Sequence, residues 1–425
     1  MTDMSHHPHP GTNSAGRVLG ALLCLLTIFG PVSMDLYLPM LPSLTMDLGS
    51  PVSVAQLTIS ACLLGLALGR LVAGPMSDRF GRRIPLLVGV VAYIATSLAC
   101  AWSASIEMLI VARFAQGLAG SVGIVIAQAA GRDIYSGGKL MRYYGRLTVI
   151  GGVAAIAGPL VGGLLANVTD WRGAFVFLAA LGAVILVASI ALIRETLPAD
   201  QRRRGGLRQT ASDFRELLAT RKVLGAVLIT GFTYAAVFAY LSGATFVLQG
   251  VYELTPLQYS YAFGLNSLSF VVFGFLSGRL CDRWSEGAVL RAALAMCATG
   301  ALLLLATSLF QLPLAVMLTS LVVLLGGVAA ATPPATSLAL ADHSEIAGTA
   351  SSLLGVARFA FGGLAAPLVG MSGNATALGI VTAVSIALAW GAYRLVAGSA
   401  TTSEPATSAP RLTPTSTLQE VTSCS

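Results

Sequence analysis

Twelve long apolar stretches, each near the length of a membrane-crossing helix, confine this chain to a lipid bilayer. They run at roughly 18–41, 54–73, 84–102, 106–130, 142–166, 172–193, 223–248, 259–281, 287–309, 313–333, 347–370 and 375–397. A helix needs about 20 apolar residues to cross the ~30 Å hydrocarbon core, whereas a membrane strand needs about 10. Backbone groups in lipid must be satisfied internally, so runs of this length are expected to be helices. Composition agrees: 56% of residues are hydrophobic and 10% charged, against about 25% charged in soluble domains. The expected fold is an all-α integral membrane protein with twelve transmembrane helices. The first run is too long for a secretory h-region and lacks an obvious small-residue cleavage site, so it is expected to stay as an anchor.

Basic residues fix an orientation. Arg79, Arg82 and Arg83, then Arg132, Lys139, Arg142 and Arg146, then Arg194 through Lys222, then Arg279, Arg283 and Arg291, and finally Arg394 and Arg411 all fall on one side of the alternating spans. The other side carries Arg172. By the positive-inside rule the basic loops, and with them both termini, are expected in the cytoplasm. The formal charge of +7 therefore reflects topology. No groove-sized basic cluster points to nucleic acid. The six cysteines are scattered without zinc or redox spacing, and the His-rich stretch at 6–10 reads as part of a polar tail rather than a metal site.

The chain also repeats itself. Gly74-Pro-Met-Ser-Asp78-Arg79 after span 2 is echoed by Gly278-Arg-Leu-Cys-Asp282-Arg283 after span 8, and Gly158-Pro-Leu-Val-Gly162 in span 5 by Ala366-Pro-Leu-Val-Gly370 in span 11. Offsets of 204 and 208 residues imply two six-helix halves, the plan of alternating-access transporters. The expected divisions are an N-terminal tail (1–17), a first half (18–193), a linker loop (194–222), a second half (223–397) and a Ser/Thr/Pro-rich disordered tail (398–425).

Residues 74–83, GPMSDRFGRR, resemble the signature loop between helices 2 and 3 of the major facilitator superfamily. RFAQGLAG from Arg113 resembles the helix-4 motif of its proton-coupled members, and GGVAAIAGPLVGG at 151–163 the helix-5 motif of its drug exporters. With GPVSMDLYLPMLP (30–42), GRDIY (131–135) and AGTASSLLG (347–355), the chain is similar to the bicyclomycin and chloramphenicol resistance branch of the twelve-helix drug:proton antiporters. Arg70, where this branch is expected to carry glutamine, and Arg358, deep in span 11, depart from it.

The motifs also have readings of their own. In residues 74–83, Gly74 is expected to let backbones approach, Gly81 to permit a tight turn, and Arg79, Arg82 and Arg83 to hold the segment at the inner face. Asp78 would accept hydrogen bonds from nearby arginines or from another helix terminus, latching the two halves while the cavity faces outward. Gly151, Gly152, Gly158, Gly162 and Gly163 would let span 5 pack backbone to backbone with a neighbour, and Pro159 would bend it. Asp35 is the one carboxylate well inside a span. It lies about 9 Å deep, and Arg113 about 10 Å deep from the same side, at the ~1.5 Å rise of a helix. Both are expected to face the cavity of the first half and to communicate electrostatically, so that hydration or cargo could load or release a proton. Tyr37, Gln116, Tyr234, Phe238, Tyr240 and Phe263 are expected to line the cargo cavity.

Enzyme chemistry finds no support. The sequence contains no H-E-x-x-H, G-x-S-x-G or G-x-x-x-x-G-K-[ST] pattern. The resemblance implies a monomeric, proton-driven exporter of small amphipathic drugs in the cytoplasmic membrane, with protons and lipid as its other partners and no bound cofactor. Proton-coupled transport of an endogenous metabolite by the same fold is the alternative.

Overall fold

The computed structural model describes residues 20–135, 137–198, 202, 207–340, 347–370 and 375–400. The N-terminal tail with its His-rich stretch, and residues 401–425 of the expected C-terminal tail, lie outside them. Among the described residues there are 12 helices long and apolar enough to cross a membrane.

In chain order the first half comprises α1 (Gly20–Asp47), α2 (Val52–Phe80), α3 (Arg83–Ala101), α4 (Ile106–Ile134), α5 (Gly137–Leu165) and α6 (Trp171–Leu192). The linker contributes α7 (Leu207–Ala219). The second half comprises α8 (Arg221–Phe246), α9 (Pro256–Cys281), α10 (Glu286–Phe310), α11 (Leu314–Leu340), α12 (Ala347–Gly370) and α13 (Ala375–Ala400).

Several bounds differ from the sequence expectation for physical reasons. The first span continues beyond Leu41 to Asp47, because Asp47 accepts hydrogen bonds from Trp171 and Arg172 at the start of α6. The second continues to Phe80, so Gly74–Arg79 are helical and the turn is confined to Gly81 and Arg82. The linker is not wholly a loop. Leu217 of α7 is fully buried and packs with Val223, Val227, Leu353 and Leu354, docking the linker helix on the second half. Gly398–Ala400, expected in the tail, complete α13.

Packing repeats between the halves. Helix α2 runs along α4 as α9 runs along α11, α3 packs on α6 as α10 packs on α13, and α1 meets α5 as α8 meets α12. The two largest interfaces between the halves are α2 with α12 and α5 with α9, and the duplication exchanges one for the other. Helices α2 and α9 begin at Val52 and Pro256, 204 residues apart, which is the offset of the first sequence echo. Bulky side chains exposed on α3, α6 and α10, such as Val88, Val184, Val187 and Leu302, face outward, as lipid requires.

Helix α1 is discontinuous. Its helical segment Phe29–Asp35 gives way to a turn at Leu36 and Tyr37, a short 3-10 stretch at Leu38–Met40, and a last segment Leu41–Asp47. Proline explains the break. Residues 39 and 42 carry no N–H, so the carbonyls of Asp35 and Leu38 lose their i+4 donors. Asp35 therefore ends a helical segment in the interior of the bundle.

Candidate functional site

The structure divides the expected cavity residues among three neighbourhoods. The first surrounds Arg113, which is fully buried on α4. Its Nη1 donates to the Ser33 carbonyl at 2.9 Å and to Gln116 Oε1 at 2.5 Å, and Nη2 approaches the Met34 sulfur at 3.7 Å. The guanidinium lies over the rings of Tyr37 (4.5 Å) and Phe175 (5.5 Å). Gln116 donates onward to Ser97, and the Tyr37 hydroxyl bonds Thr58. Tyr37 and Gln116 thus line the interior of the first half and help hold a cation there by aromatic faces and neutral oxygens.

The second neighbourhood surrounds Asp35, which is 5% exposed, with Oδ1 lacking any hydrogen-bond partner among the described residues. Arg113 does not pair with it. Ser33 and Tyr37 are four residues apart and share the face of α1 turned to Arg113, whereas Asp35 lies midway between them, about 200° around the helix at ~100° per residue. Its Cβ instead packs over Gly158 of α5, whose neighbour Gly163 meets Ser260 of α9, and the 38–40 stretch just after it contacts α9. Tyr240 of α8 stacks on Phe263 at 5.9 Å and accepts a hydrogen bond from Asn266, while Tyr259 of α9 bonds Thr245. Asp35 consequently sits on the seam between the halves rather than inside the first.

Helix α5 makes that position possible. A methyl group at Gly162 would overlap the Leu36 carbonyl, and one at Gly158 would crowd the Asp35 side chain. Gly163 meets Ser260, and Gly152 meets Val271, both on α9. Pro159 lies within the same helix. Gly151 does not share this role, because nothing lies within 4 Å of its position; seven and eleven residues from Gly158 and Gly162, it lies on their face of α5 but nearer the basic end, where no neighbour comes close.

The third neighbourhood holds Tyr234 and Phe238 of α8, with Phe270 of α9 and Phe359 of α12. Two arginines enter it. Arg70 of α2 lies over Phe359 at 5.1 Å, and Arg358 of α12 over Tyr234 at 4.7 Å.

Residues 74–83 form a separate cluster at the basic end of the bundle. Arg82 is 6% exposed and donates to Asp78 at 2.5 Å, to Asp133 at 2.9 Å and to the Ser77 hydroxyl at 2.6 Å. Gly81 has φ +86°, and its turn lets the Arg82 amide donate to Glu195 at 2.7 Å. A side chain at Gly81 would also collide with that carboxylate, so both its backbone and its surroundings require glycine. Burial pushes the Glu195 carboxyl up, but the Arg82, Leu197 and Arg83 amides and the Arg202 cation outweigh it and hold the carboxyl below its usual value. Arg83 reaches the Ile190 carbonyl, and Arg79 lies over Phe80.

One expectation is corrected here. Gly74 has nothing within 4 Å and permits no close approach. With the opposite end bonded shut, Asp78 pairs with Arg82, whose other side-chain partners are Ser77 of α2 and Asp133 of α4; the latch expected of it belongs to the outward-facing state. Sequence reasoning assigned no role to Asp133 or Glu195. Their signal was an acidic residue amid the basic residues at the same end, within GRDIY (131–135) and just after span 6.

At the opposite end the halves are bonded directly. Gln56 of α2 donates to the Ser242 carbonyl of α8 at 2.9 Å, and Gln249 beyond α8 donates to the Pro39 carbonyl of α1 at 3.1 Å.

Twelve spanning helices in two duplicated halves, with ionisable side chains at their seam, define a membrane transporter of the two-half type. The chain belongs to the Major Facilitator Superfamily, which it matches over residues 23–367, and within it to the drug-resistance branch that its motifs resemble. It is 34% identical over 393 residues to the Bacillus subtilis (strain 168) protein named "Uncharacterized MFS-type transporter YdgK", covering 91% of this chain and 97% of that one. It is 32% identical over 344 residues to a chloramphenicol resistance protein of Pseudomonas aeruginosa, covering 79% and 80%. The xylose transporter XylE from E. coli, in a partially occluded inward-open conformation, shares the fold with a TM-score of 0.69 at 14% identity, covering 89% of this chain and 98% of its own. This chain is a multi-pass transporter and not an enzyme.

Proposed function

We propose that this protein exports small amphipathic compounds, chloramphenicol- and bicyclomycin-type antibiotics among them, in exchange for protons. It acts as a monomer in the cytoplasmic membrane, with the basic end and both termini in the cytoplasm, and the proton gradient is its energy source. The observation that carries this reading is Asp35: a buried carboxylate with an unpartnered oxygen, at the end of a broken helix, on the seam between the halves. A buried charge without a partner is costly, and protonation removes the cost. The chloramphenicol resistance relative supports the choice of cargo.

With the basic end inside, the hydrogen bonds from Gln56 and Gln249 close the outer end. Cargo entering from the cytoplasm would favour release of the Asp35 proton inward. Export would follow when those outer bonds part, and reprotonation from outside would reset the seam. Arg113 stays charged throughout and ties α1 to α4, so the first half moves as a body.

Two experiments test this. In everted vesicles from cells lacking their own exporters, chloramphenicol is expected to discharge a preformed pH gradient when this protein is present. The same gradient should survive in vesicles carrying Asp35→Asn; proton-dependent accumulation of drug by that variant would remove Asp35 from the coupling role. For orientation, single cysteines replace Val168 or Trp284, exposed at opposite ends, in a cysteine-free background. An impermeant thiol reagent applied to intact cells should label the Val168 site and spare the Trp284 site, and equal labelling would overturn the topology.

A further inference from the structure

Arg70 and Arg358 occupy the bundle's interior without the partners that arginines there require. Arg70 lies ten residues from the end of α2 and Arg358 eleven from the start of α12, so both sit about 15 Å from the basic end at the ~1.5 Å helical rise. Even with the helix ends projecting beyond it, that distance puts both inside a ~30 Å hydrocarbon core. They belong to different halves, and the Arg70 guanidinium lies against Gly355 and Phe359 of α12, the helix that carries Arg358. Among the described residues no carboxylate forms an ion pair with either, and the Nε of each has no hydrogen-bond partner. Both side chains are half-buried at this depth, so space remains beside them.

The structure around them is shaped to receive something. Gly355 of α12 abuts the Arg70 guanidinium, and a methyl group there would come within 2.6 Å of Nη1. Phe359 and Tyr234 each support one guanidinium. Phe238 and Phe270 continue the aromatic wall, with centroids 6.1–6.4 Å from their neighbours. Two like charges, each with planar hydrogen-bond donors still free, share one missing component: an anion able to accept from both. The flanking rings add an apolar surface for the body that carries it.

We propose that Arg70 and Arg358 form a head-group subsite of the cargo cavity and that the cargo includes, besides neutral compounds such as chloramphenicol, amphipathic organic anions, with a carboxylate, sulfonate or phosphate between the two guanidinium groups and an aromatic body against Tyr234, Phe238 and Phe359. The proposal rests on the exporter reading for its place in transport, but the binding it describes does not. Since the arginines come from opposite halves, an anion bridging them draws α2 and α12 together, whereas a cation meets two like charges and is rejected. Proton coupling at Asp35 and cargo charge at Arg70 and Arg358 thereby occupy separate places on the seam.

Two dyes sharing a xanthene frame test it by fluorescence polarisation with the purified full-length protein in detergent: fluorescein, an anion, and rhodamine 6G, a cation. Fluorescein is expected to bind saturably and at least tenfold more tightly than rhodamine 6G. Arg70→Gln and Arg358→Gln should each weaken fluorescein binding at least tenfold and strengthen rhodamine 6G binding. Arg70→Lys, which keeps the charge, should recover most of the lost affinity and shows that the fold tolerates change there. Fluorescein binding that is absent, no tighter than that of rhodamine 6G, or unchanged in both glutamine variants would overturn the proposal. The assay contains no proton gradient, so a chain that prefers anions here but discharges no gradient in vesicles would refute the coupling and leave the anion subsite standing. Proton-driven export without anion preference would do the reverse.

Discussion

Arg70 and Arg82 lie twelve residues apart, yet the chain treats them in opposite ways. At the rim, Arg82 is nearly enclosed and bonded to two carboxylates and a hydroxyl. Within the core, Arg70 has an aromatic face and no carboxylate among the described residues. Asp35 extends the contrast, being buried with an oxygen unpartnered. A bilayer makes unpaired charge more costly in the middle than at the rim, so a purely structural design would have reversed the allocation. The paired groups hold the fold, and the unpaired ones are available to a proton or a cargo.

The contrast fails if removing a core charge damages folding as removing a rim charge does. The largest expected effect is on transport: Asp35→Asn should abolish proton-driven export while leaving membrane abundance and melting temperature unchanged or higher, because a neutral amide replaces an under-bonded buried carboxylate. A large drop in melting temperature would make Asp35 structural. Next comes Arg82→Gln, which strands Asp78 and Asp133. Breaking a buried pair costs ~3–5 kcal/mol. Since the Asp78 side chain is 39% exposed, a loss of about 2–3 kcal/mol is expected after allowing for solvent screening, visible as lower thermal stability and abundance.

Asp78→Asn should cost less, about 1 kcal/mol, because Arg82 keeps Asp133. A stability loss equal to that of Arg82→Gln would mean that Asp78 has further partners. The smallest effect belongs to Glu195→Gln, and it depends on pH. The carboxyl is held below its usual value in the folded chain, so its contribution is complete above the ordinary glutamate range near ~4.3 and is lost as pH falls through the folded value. The melting temperatures of parent and variant should therefore differ at neutral pH and converge on acidification; a constant gap would show that the side chain acts through packing alone.

The spans and the duplication were legible because hydropathy and repetition are properties of the chain taken in order. So was the isolation of Asp35. Its direction was not, since counting residues from a span end gives depth and says nothing of azimuth: Ser33 and Tyr37 face Arg113, and Asp35 faces away. The span end itself was misplaced by polar neighbours, as Asp47 is drawn in by Trp171 and Arg172. Glycines were equally ambiguous. Gly162 meets a backbone while Gly74 and Gly151 meet nothing, and only the partner helix decides which. The residues that complete Arg82 lie 51 and 113 positions away in sequence, beyond the reach of any local pattern.

Every partner described for Arg82 precedes residue 196, which bears on the order in which the protein is made. Once the ribosome has delivered the six helices of the first half and the first residues of the linker, that half holds every group described as bonding Arg82, before α8 exists. It can assemble as a unit, in keeping with the tendency of large chains to fold in parts as they are synthesised. The later half then inserts against an ordered template, and α7, which packs on α8 and α12 and also touches α2, spans the join between the two.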